Sequence, residues 1–198
     1  MERTAAGGLR IAGKMDTFIK LPEGELLPEN IVTLTGITDE MLQREGVRQD
    51  KAASQIVKLM NPGPTLMIAH NAQFDACFLR ELLRGVKVER PDWLDSLTVY
   101  KDRRPYPHKL ANAILAYDLG DKVQNSHRAI DDVLALLDVL KAMDEERDDL
   151  ATYVNLFGYN QKYGVSGRRI TGVRYEPQGF IKTMTRPEQT LPARLARK

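Results

Sequence analysis

Residues 67–75 read MIAHNAQFD, an apolar run that stops at a histidine and reaches a carboxylate five residues later. The segment TLMIA (65–69) is a short apolar run bounded by breakers, which is typical of a strand buried on both faces. In parallel α/β sheets, ligands bind beyond the carboxyl ends of the strands, where His70, Asn71 and Asp75 would lie. The pattern therefore indicates a ligand site, although Asp75 at a helix start also fits a simple helix cap.

Strand and helix signals alternate along the first three quarters of the chain. The β-type residues and the apolar runs predict strands over 9–21, 65–69 and 93–100. Apolar residues at helical spacing predict a short helix capped by Thr38 and ended by Gly46, and longer helices over 50–60, 75–85, 108–120 and 126–147. This alternation predicts an α/β layered domain with a largely parallel sheet.

The pattern changes near residue 150, where Gly and aromatic residues follow no clear period. We therefore expect a domain over 1–148 and an irregular, basic C-terminal extension over 149–198. The aromatic residues of the extension fit either a surface that guides single-stranded nucleic acid or a flap over a sheet edge, and we favour the flap.

Composition narrows the class of protein. Hydrophobic residues make up 42% of the 198 residues and charged residues 28%, which suits a globular protein with a sizeable core. No stretch approaches the roughly 18 consecutive apolar residues of a membrane span, and the N-terminus has no apolar signal region. Cys77 is the single cysteine, which excludes an intrachain disulfide and a multi-cysteine zinc site. We expect a cytoplasmic protein with no membrane contact.

The net charge of +2 is unevenly distributed. Residues 168–198 contain eight Lys and Arg against two Glu, so the rest of the chain carries −4. A mildly acidic body with a basic tail suits a protein that binds a polyanion with a carboxylate-rich site. A solvated tail without a partner fits the charge equally well.

A second polar stretch, SHRAIDD (126–132), opens the longest predicted helix. Asp132 lies beside the apolar stripe of that helix, whereas Asp131 is expected to face solvent. A carboxylate in such a place is costly to bury unless it binds a metal or is paired. His127, in the loop before the helix, could act as a general base for water because its pKa lies near working pH.

Taken together, HNAQFD and the later HRAIDD resemble the DEDDh group of 3′–5′ exonucleases, the proofreading relatives of the DNA polymerase III epsilon subunit. LPENIVTLTGITDEML is similar to the family's stretch around its TGI motif, and WLDSL followed by HKLANAILAYDLG is similar to the region between its second and third motifs. The resemblance covers residues 10–142.

The resemblance implies a ribonuclease H-like fold, a mixed sheet flanked by helices, and hydrolysis of phosphodiester bonds with two Mg²⁺ or Mn²⁺ ions. It makes Asp75 and Asp132 metal ligands and His127 the general base. The substrate-binding residues that it implies are Thr35, Gly36, Ile37, Asn71 and Phe74. The implied partners are single-stranded 3′ ends of DNA and a DNA polymerase.

The family's first motif is an Asp-x-Glu pair on the central strand, and no such pair occurs in a strand context before Asp75. We therefore expect two of the family's four metal-binding carboxylates and at least one N-terminal strand to be missing. The explanations that remain open are an incomplete sequence, an inactive nucleic-acid- or polymerase-binding module, carboxylates supplied by another chain, and a weakened activity that survives without them. An oligoribonuclease-like RNase is a further alternative, because the sequence does not reveal sugar preference.

Overall fold

The computed structural model describes residues 2–3, 9–11, 13–60, 63–120 and 129–179. The strands are β1 (Glu2–Arg3), β2 (Leu9–Arg10), β3 (Leu66–Ala69), β4 (Asp92–Asp95), β5 (Leu156–Tyr159) and β6 (Arg174–Pro177). The helices are α1 (Glu29–Thr35), α2 (Asp39–Glu45), α3 (Gln49–Met60), α4 (Ala72–Leu82), α5 (Ser96–Arg103), α6 (Leu110–Ala116) and α7 (Ala129–Glu146). A turn of 3-10 helix covers Leu150–Tyr153. None of the described helices is long and apolar enough to cross a membrane.

A parallel pair of strands, β3 and β4, separates two layers of the core. Met67 pairs with Trp93 and Ile68 with Leu94, so successive side chains point to opposite faces. On the Leu94 face lies a cluster formed by α5, α6, α7 and the 3-10 turn, with Val99, Val139 and Met143 fully buried. On the Trp93 face lie α4 and the C-terminal strands. The predicted α/β layered class is confirmed.

The residues after 148 cover the second edge of β4. Leu94 forms an antiparallel bridge with Val154, and the Asn155 N–H donates to the Trp93 carbonyl at 2.7 Å. Strand β5 then pairs in parallel with β6. Tyr153 and Leu156 are completely buried, so this part of the extension packs into the core of the preceding domain. The contacts support the interpretation of a flap over a sheet edge.

Two predicted strands are shorter than expected. The prediction of a strand over 93–100 is wrong after Asp95, because the Asp95 carboxylate accepts the Leu97 N–H at 3.2 Å and caps α5. The predicted strand over 9–21 is reduced to β2 and a single bridge between Ile19 and Val47, since most of its described residues have no ladder partner. Helix α1 was not predicted.

A buried arginine joins α5 to the end of α7. The Arg103 side chain is fully buried and forms an ion pair with Asp149, a second with Glu146 at 3.3 Å, and a 2.5 Å hydrogen bond to the Met143 carbonyl. Burial by itself would lower the pKa of Arg103, but the nearby Asp149 carboxylate reverses the direction, and the pKa is raised. Arg103 therefore stays charged and gives the Met143 carbonyl a second donor beside the Arg147 N–H, which lies 3.2 Å from it.

The second edge of β3 pairs with no other strand among the described residues. Beside this edge lies a groove of about 1770 Å³ between α3, α4 and α7. Apolar side chains dominate its walls, and several are strongly exposed, including Phe78 (64%) and Val133 (59%). The strand predicted to be buried on both faces is consequently only half-buried.

Candidate functional site

The groove brings together the two carboxylates that the sequence singled out. Asp75 lies in the first turn of α4, and Asp132 lies in the first turn of α7. Both line the groove beside the carboxyl end of β3, together with His70. Carboxylates that are 57 residues apart in the sequence thus line one groove, whose walls also include residues at the carboxyl end of β3, the end where ligands bind in parallel sheets.

Asp95 sets the start of the helix that carries Asp75. Its carboxylate is 4% exposed and accepts hydrogen bonds from the Asn71 N–H at 2.9 Å and the Ala72 N–H at 3.0 Å. It also accepts from the Thr98 hydroxyl at 2.7 Å. One side chain therefore caps α4 and α5 together, and it holds Asn71 in the left-handed conformation (φ 78°) that turns the chain from β3 into α4.

His70 is a structural residue of the same turn. Its Nε2 donates to the His108 carbonyl at 2.9 Å, so in the neutral ring Nδ1 accepts from the Ser96 hydroxyl, also at 2.9 Å. Burial lowers the pKa of His70, which favours this neutral form. Because both ring nitrogens are used by the protein, the histidine that ends β3 connects three segments and is not a metal ligand.

The environment of Asp75 disfavours its ionised form. Burial among the groove walls raises the pKa of the Asp75 carboxyl group, and the negative charge of Asp95 raises it further. A carboxylate that is costly to ionise gains free energy when a cation neutralises it. Such perturbed groups in a concave site are typical of functional residues.

The donor set fits one divalent cation better than two. Among the described residues, no group of three or more His, Cys, Asp or Glu is arranged to hold a metal ion. Mg²⁺ in nucleotide-processing sites is commonly held by one or two carboxylates, with water and substrate phosphates completing its shell. Asp75 and Asp132 can provide those two carboxylates, whereas a second ion would require further ligands.

The other predicted site residues lie apart from the groove walls or outside the described residues. Helix α1 ends at Thr35, Gly36 follows as a left-handed C-cap (φ 67°), and Ile37 comes next; none of the three lines the groove. Phe74 is 59% exposed and contacts the groove residue Phe78, with ring centroids 4.7 Å apart. His127 lies outside the described residues, two positions before α7 begins.

Sequence reasoning missed Asp95, which the structure places at the centre of the turn. The available signal was an aspartate directly after the apolar pair Trp93–Leu94, since Asp is one of the residue types preferred at a helix N-cap. The stretch was interpreted as a continuous strand, so the cap was overlooked.

Comparison with known proteins identifies the family. Residues 3–140 match the RNase_T family, described as exonuclease. The chain belongs to the exonuclease family. With the relatives described next, this match confirms two predictions: membership of the 3′–5′ exonuclease family related to the DNA polymerase III epsilon subunit, and the ribonuclease H-like fold class. This exonuclease-family chain contains Asp75 and Asp132 inside the matched segment and β5 and β6 beyond it.

Relatives of this exonuclease-family chain include two proteins named DNA polymerase III PolC-type. The protein from Clostridium perfringens is 28% identical over 148 residues, which is 66% of this chain and 10% of the relative. The protein from Ureaplasma parvum is 26% identical over 157 residues, 77% of this chain and 10% of the relative. A Mycobacterium tuberculosis protein whose name proposes a bifunctional exonuclease/endonuclease is 32% identical over 158 residues, 77% of this chain and 24% of the relative. The chain thus spans between a tenth and a quarter of these relatives.

Proposed function

We propose that the chain is the nuclease domain of a 3′–5′ exonuclease that removes nucleotides from single-stranded DNA ends with the help of Mg²⁺ or Mn²⁺. The observation that carries the proposal is that Asp75 and Asp132, on separate helices, line one groove beside the carboxyl end of β3. The raised pKa of Asp75 supports it, because the carboxyl group is poised to gain from a cation.

The positions of the groove residues and the family resemblance support the following roles. Asp75 and Asp132 would hold a divalent cation against the scissile phosphate, and Lys20 and Lys109 on the same groove walls would attract the phosphate backbone. A bound cation supplies Lewis-acid stabilisation of phosphoryl charge. His127, by family resemblance, would accept the proton of the attacking water.

Asp95 and His70 prepare the site without touching substrate. The Asp95 carboxylate fixes the two amides that open α4, and His70 connects the end of β3 to Ser96 and His108. These contacts hold the Asp75 turn in place before substrate arrives, which lowers the reorganisation needed for reaction.

The test is a nuclease assay on 5′-labelled single-stranded DNA with Mg²⁺ or Mn²⁺, in which a 3′–5′ enzyme produces a descending ladder. A 3′-phosphate block and an RNA of the same sequence report polarity and sugar preference. We expect Asp75→Asn and Asp132→Asn each to reduce the rate by at least about 100-fold, since they remove charge that holds the cation. Asp138→Asn, on the same helix as Asp132 but paired with Lys141 at the surface, should leave the rate unchanged.

A second candidate function is a non-catalytic module that binds nucleic acid or a polymerase. The short donor set favours it, because no group of three or more His, Cys, Asp or Glu among the described residues is arranged to hold a metal ion. The relatives named DNA polymerase III PolC-type make a polymerase the natural partner for either candidate. Binding of the oligonucleotide without any metal-dependent cleavage, in wild type and in both Asp variants alike, would establish this alternative.

A further inference from the structure

A glutamine in the first turn of α4 forms three hydrogen bonds with strand β6 and the loop that precedes it. The Gln73 amide nitrogen donates to the Ser166 carbonyl at 2.8 Å and to the Arg168 carbonyl at 3.0 Å. Its amide oxygen accepts from the Tyr175 hydroxyl at 2.6 Å. Tyr175 in turn accepts the Ile170 N–H at 2.8 Å, so both ends of the contact are fixed.

This glutamine and the candidate metal ligand lie on opposite sides of one helical turn. Residues two apart on an α-helix are separated by about 200° around its axis. Gln73 therefore faces the C-terminal strands while Asp75 faces the groove. The first turn of a helix lacks intrahelical partners for its N–H groups and is the part most easily displaced.

Close packing reinforces the contact. Ala72 and Ala76 are almost fully buried against Trp93 and Phe157, and their small side chains let α4 approach the C-terminal strands. Gly167 adopts φ +71°, a conformation that L side chains rarely adopt, in the loop whose carbonyl groups receive Gln73. The surfaces of the loop and of helix α4 are therefore complementary.

The same C-terminal strands reach the turn from a second direction. The Gly158 N–H donates to the Thr98 hydroxyl oxygen at 2.8 Å, and that hydroxyl donates to Asp95 at 2.7 Å. Asp95 caps the start of α4 through Asn71 and Ala72. Residues 156–177 are therefore connected to the Asp75 turn through Gln73 on one side and through Thr98 and Asp95 on the other.

We propose that residues 156–177, named here the C-terminal brace, position Asp75, and that the Gln73–Tyr175 hydrogen bond is the contact through which they act. The inference rests on the proposed exonuclease function and extends it, because the brace lies beyond the family match that ends at residue 140. Gln73 and Tyr175 are positioning residues that leave the reacting atoms to Asp75 and Asp132.

The experiment compares Tyr175→Phe with Tyr163→Phe in the full chain. The first change removes one hydroxyl group while its ring can still contact Phe157, and the second removes a hydroxyl from a tyrosine that is 76% exposed. If the brace positions Asp75, Tyr175→Phe lowers kcat about tenfold at unchanged KM, as expected for loss of a supporting contact. Tyr163→Phe should match wild type.

A double-mutant cycle tests whether the two residues act through one contact. Gln73→Met keeps the length of the side chain but loses all three hydrogen bonds. The Gln73→Met/Tyr175→Phe double variant should be no slower than Gln73→Met alone, because the second change has nothing left to remove. Additive losses, or a Tyr175→Phe variant with wild-type kcat, would overturn the proposal.

A readout independent of activity separates failure of the brace from failure of the proposed function. Amide hydrogen exchange in residues 72–76 should accelerate in Tyr175→Phe while the midpoint of global unfolding changes little. If the wild-type chain cleaves nothing, the exonuclease proposal fails and exchange alone decides on the brace. Unchanged exchange in that case rejects it.

Discussion

Replacement of Asp95 tests how the candidate site is built, because one buried carboxylate caps two helices. Asp95→Ala removes the acceptor for the Asn71, Ala72 and Leu97 N–H groups and for the Thr98 hydroxyl. The loss of a helix cap costs about 1 kcal/mol, and each buried donor left unsatisfied costs about 1–3 kcal/mol. Since such terms overlap, we expect Asp95→Ala to lower the free energy of unfolding by about 3–5 kcal/mol.

Asp95→Asn separates the capping role of the side chain from its charge. The asparagine oxygen can still accept the backbone N–H groups, but its NH₂ group cannot accept from the Thr98 hydroxyl, so the expected loss is only about 1–2 kcal/mol. Because the charge of Asp95 raises the pKa of Asp75, the same variant should lower the Asp75 pKa. Guanidinium unfolding followed by circular dichroism measures the first effect, and NMR titration of the carboxyl carbon measures the second.

Asp138→Ala is the matched control, since Asp138 forms a surface ion pair with Lys141 that should contribute less than about 1 kcal/mol. If Asp95→Ala cost no more than this control, the carboxylate would not be holding the turn. An unchanged Asp75 pKa in Asp95→Asn would likewise refute the electrostatic part of the reasoning.

Three further predictions concern buried charge and pH. Arg103→Met removes the buried cation that is hydrogen-bonded to the Asp149 carboxylate and leaves the Arg147 guanidinium, 3.7 Å away, as a weaker partner, so the change should cost about 3 kcal/mol in guanidinium unfolding. The folded-state pKa values of His70 and His108 are lowered mainly by burial, so protonation of these side chains favours the unfolded chain. The free energy of unfolding should therefore be at its full value above about pH 6.5, the unfolded-state pKa, and fall as the pH drops toward the lower folded-state values. We expect His70→Gln to flatten the dependence of the urea unfolding midpoint on pH between about 7.5 and 5. The pKa of Asp75 is raised on folding, so ionisation of this carboxyl group lowers the free energy of unfolding as the pH rises from the unfolded-state pKa through the folded-state pKa. Asp75→Asn should therefore melt at a higher temperature than wild type at pH 7, while nuclease activity disappears.

The sequence was sufficient to predict a helix cap and two site residues, because at these positions the local residue type and the wider hydrophobic pattern agreed. Thr38 was predicted to cap a helix, and its hydroxyl oxygen accepts the Met41 N–H at 3.2 Å. Asp75 and Asp132 were singled out because each pairs a carboxylate with a strand end or an apolar helical stripe, and the structure places both on one groove. Neither inference required knowledge of distant contacts.

Contacts between segments that are distant in the sequence could not be predicted from the pattern of apolar and polar residues. Asp95 ends an apolar strand, and nothing local shows that its carboxylate also receives two amides from residues 23 and 24 positions earlier. In the sequence Gln73 resembles any polar helix residue, and only the structure shows that residues 166–175 pack and hydrogen-bond against it. Long-range hydrogen bonds of this kind leave no periodicity in the sequence, so the turn was predicted but the contacts that fix it were not.

The second edge of β3 has no strand partner in the part of the chain that the structure describes, and this has a consequence for how the protein behaves at high concentration. A strand edge without a partner offers a row of backbone hydrogen-bond donors and acceptors to other chains. Exposed apolar side chains nearby, such as Phe78 and Val133, favour association of two copies through hydrophobic contact. Natural proteins guard such edges with charged gatekeeper residues. Asp75 and Asp132 are carboxylic residues of the groove that lies beside β3, and we expect them to serve as such gatekeepers. The inactive Asp75→Asn/Asp132→Asn variant is therefore expected to aggregate at lower concentrations than wild type, because the carboxylates suited to holding a cation also keep the edges of two copies apart.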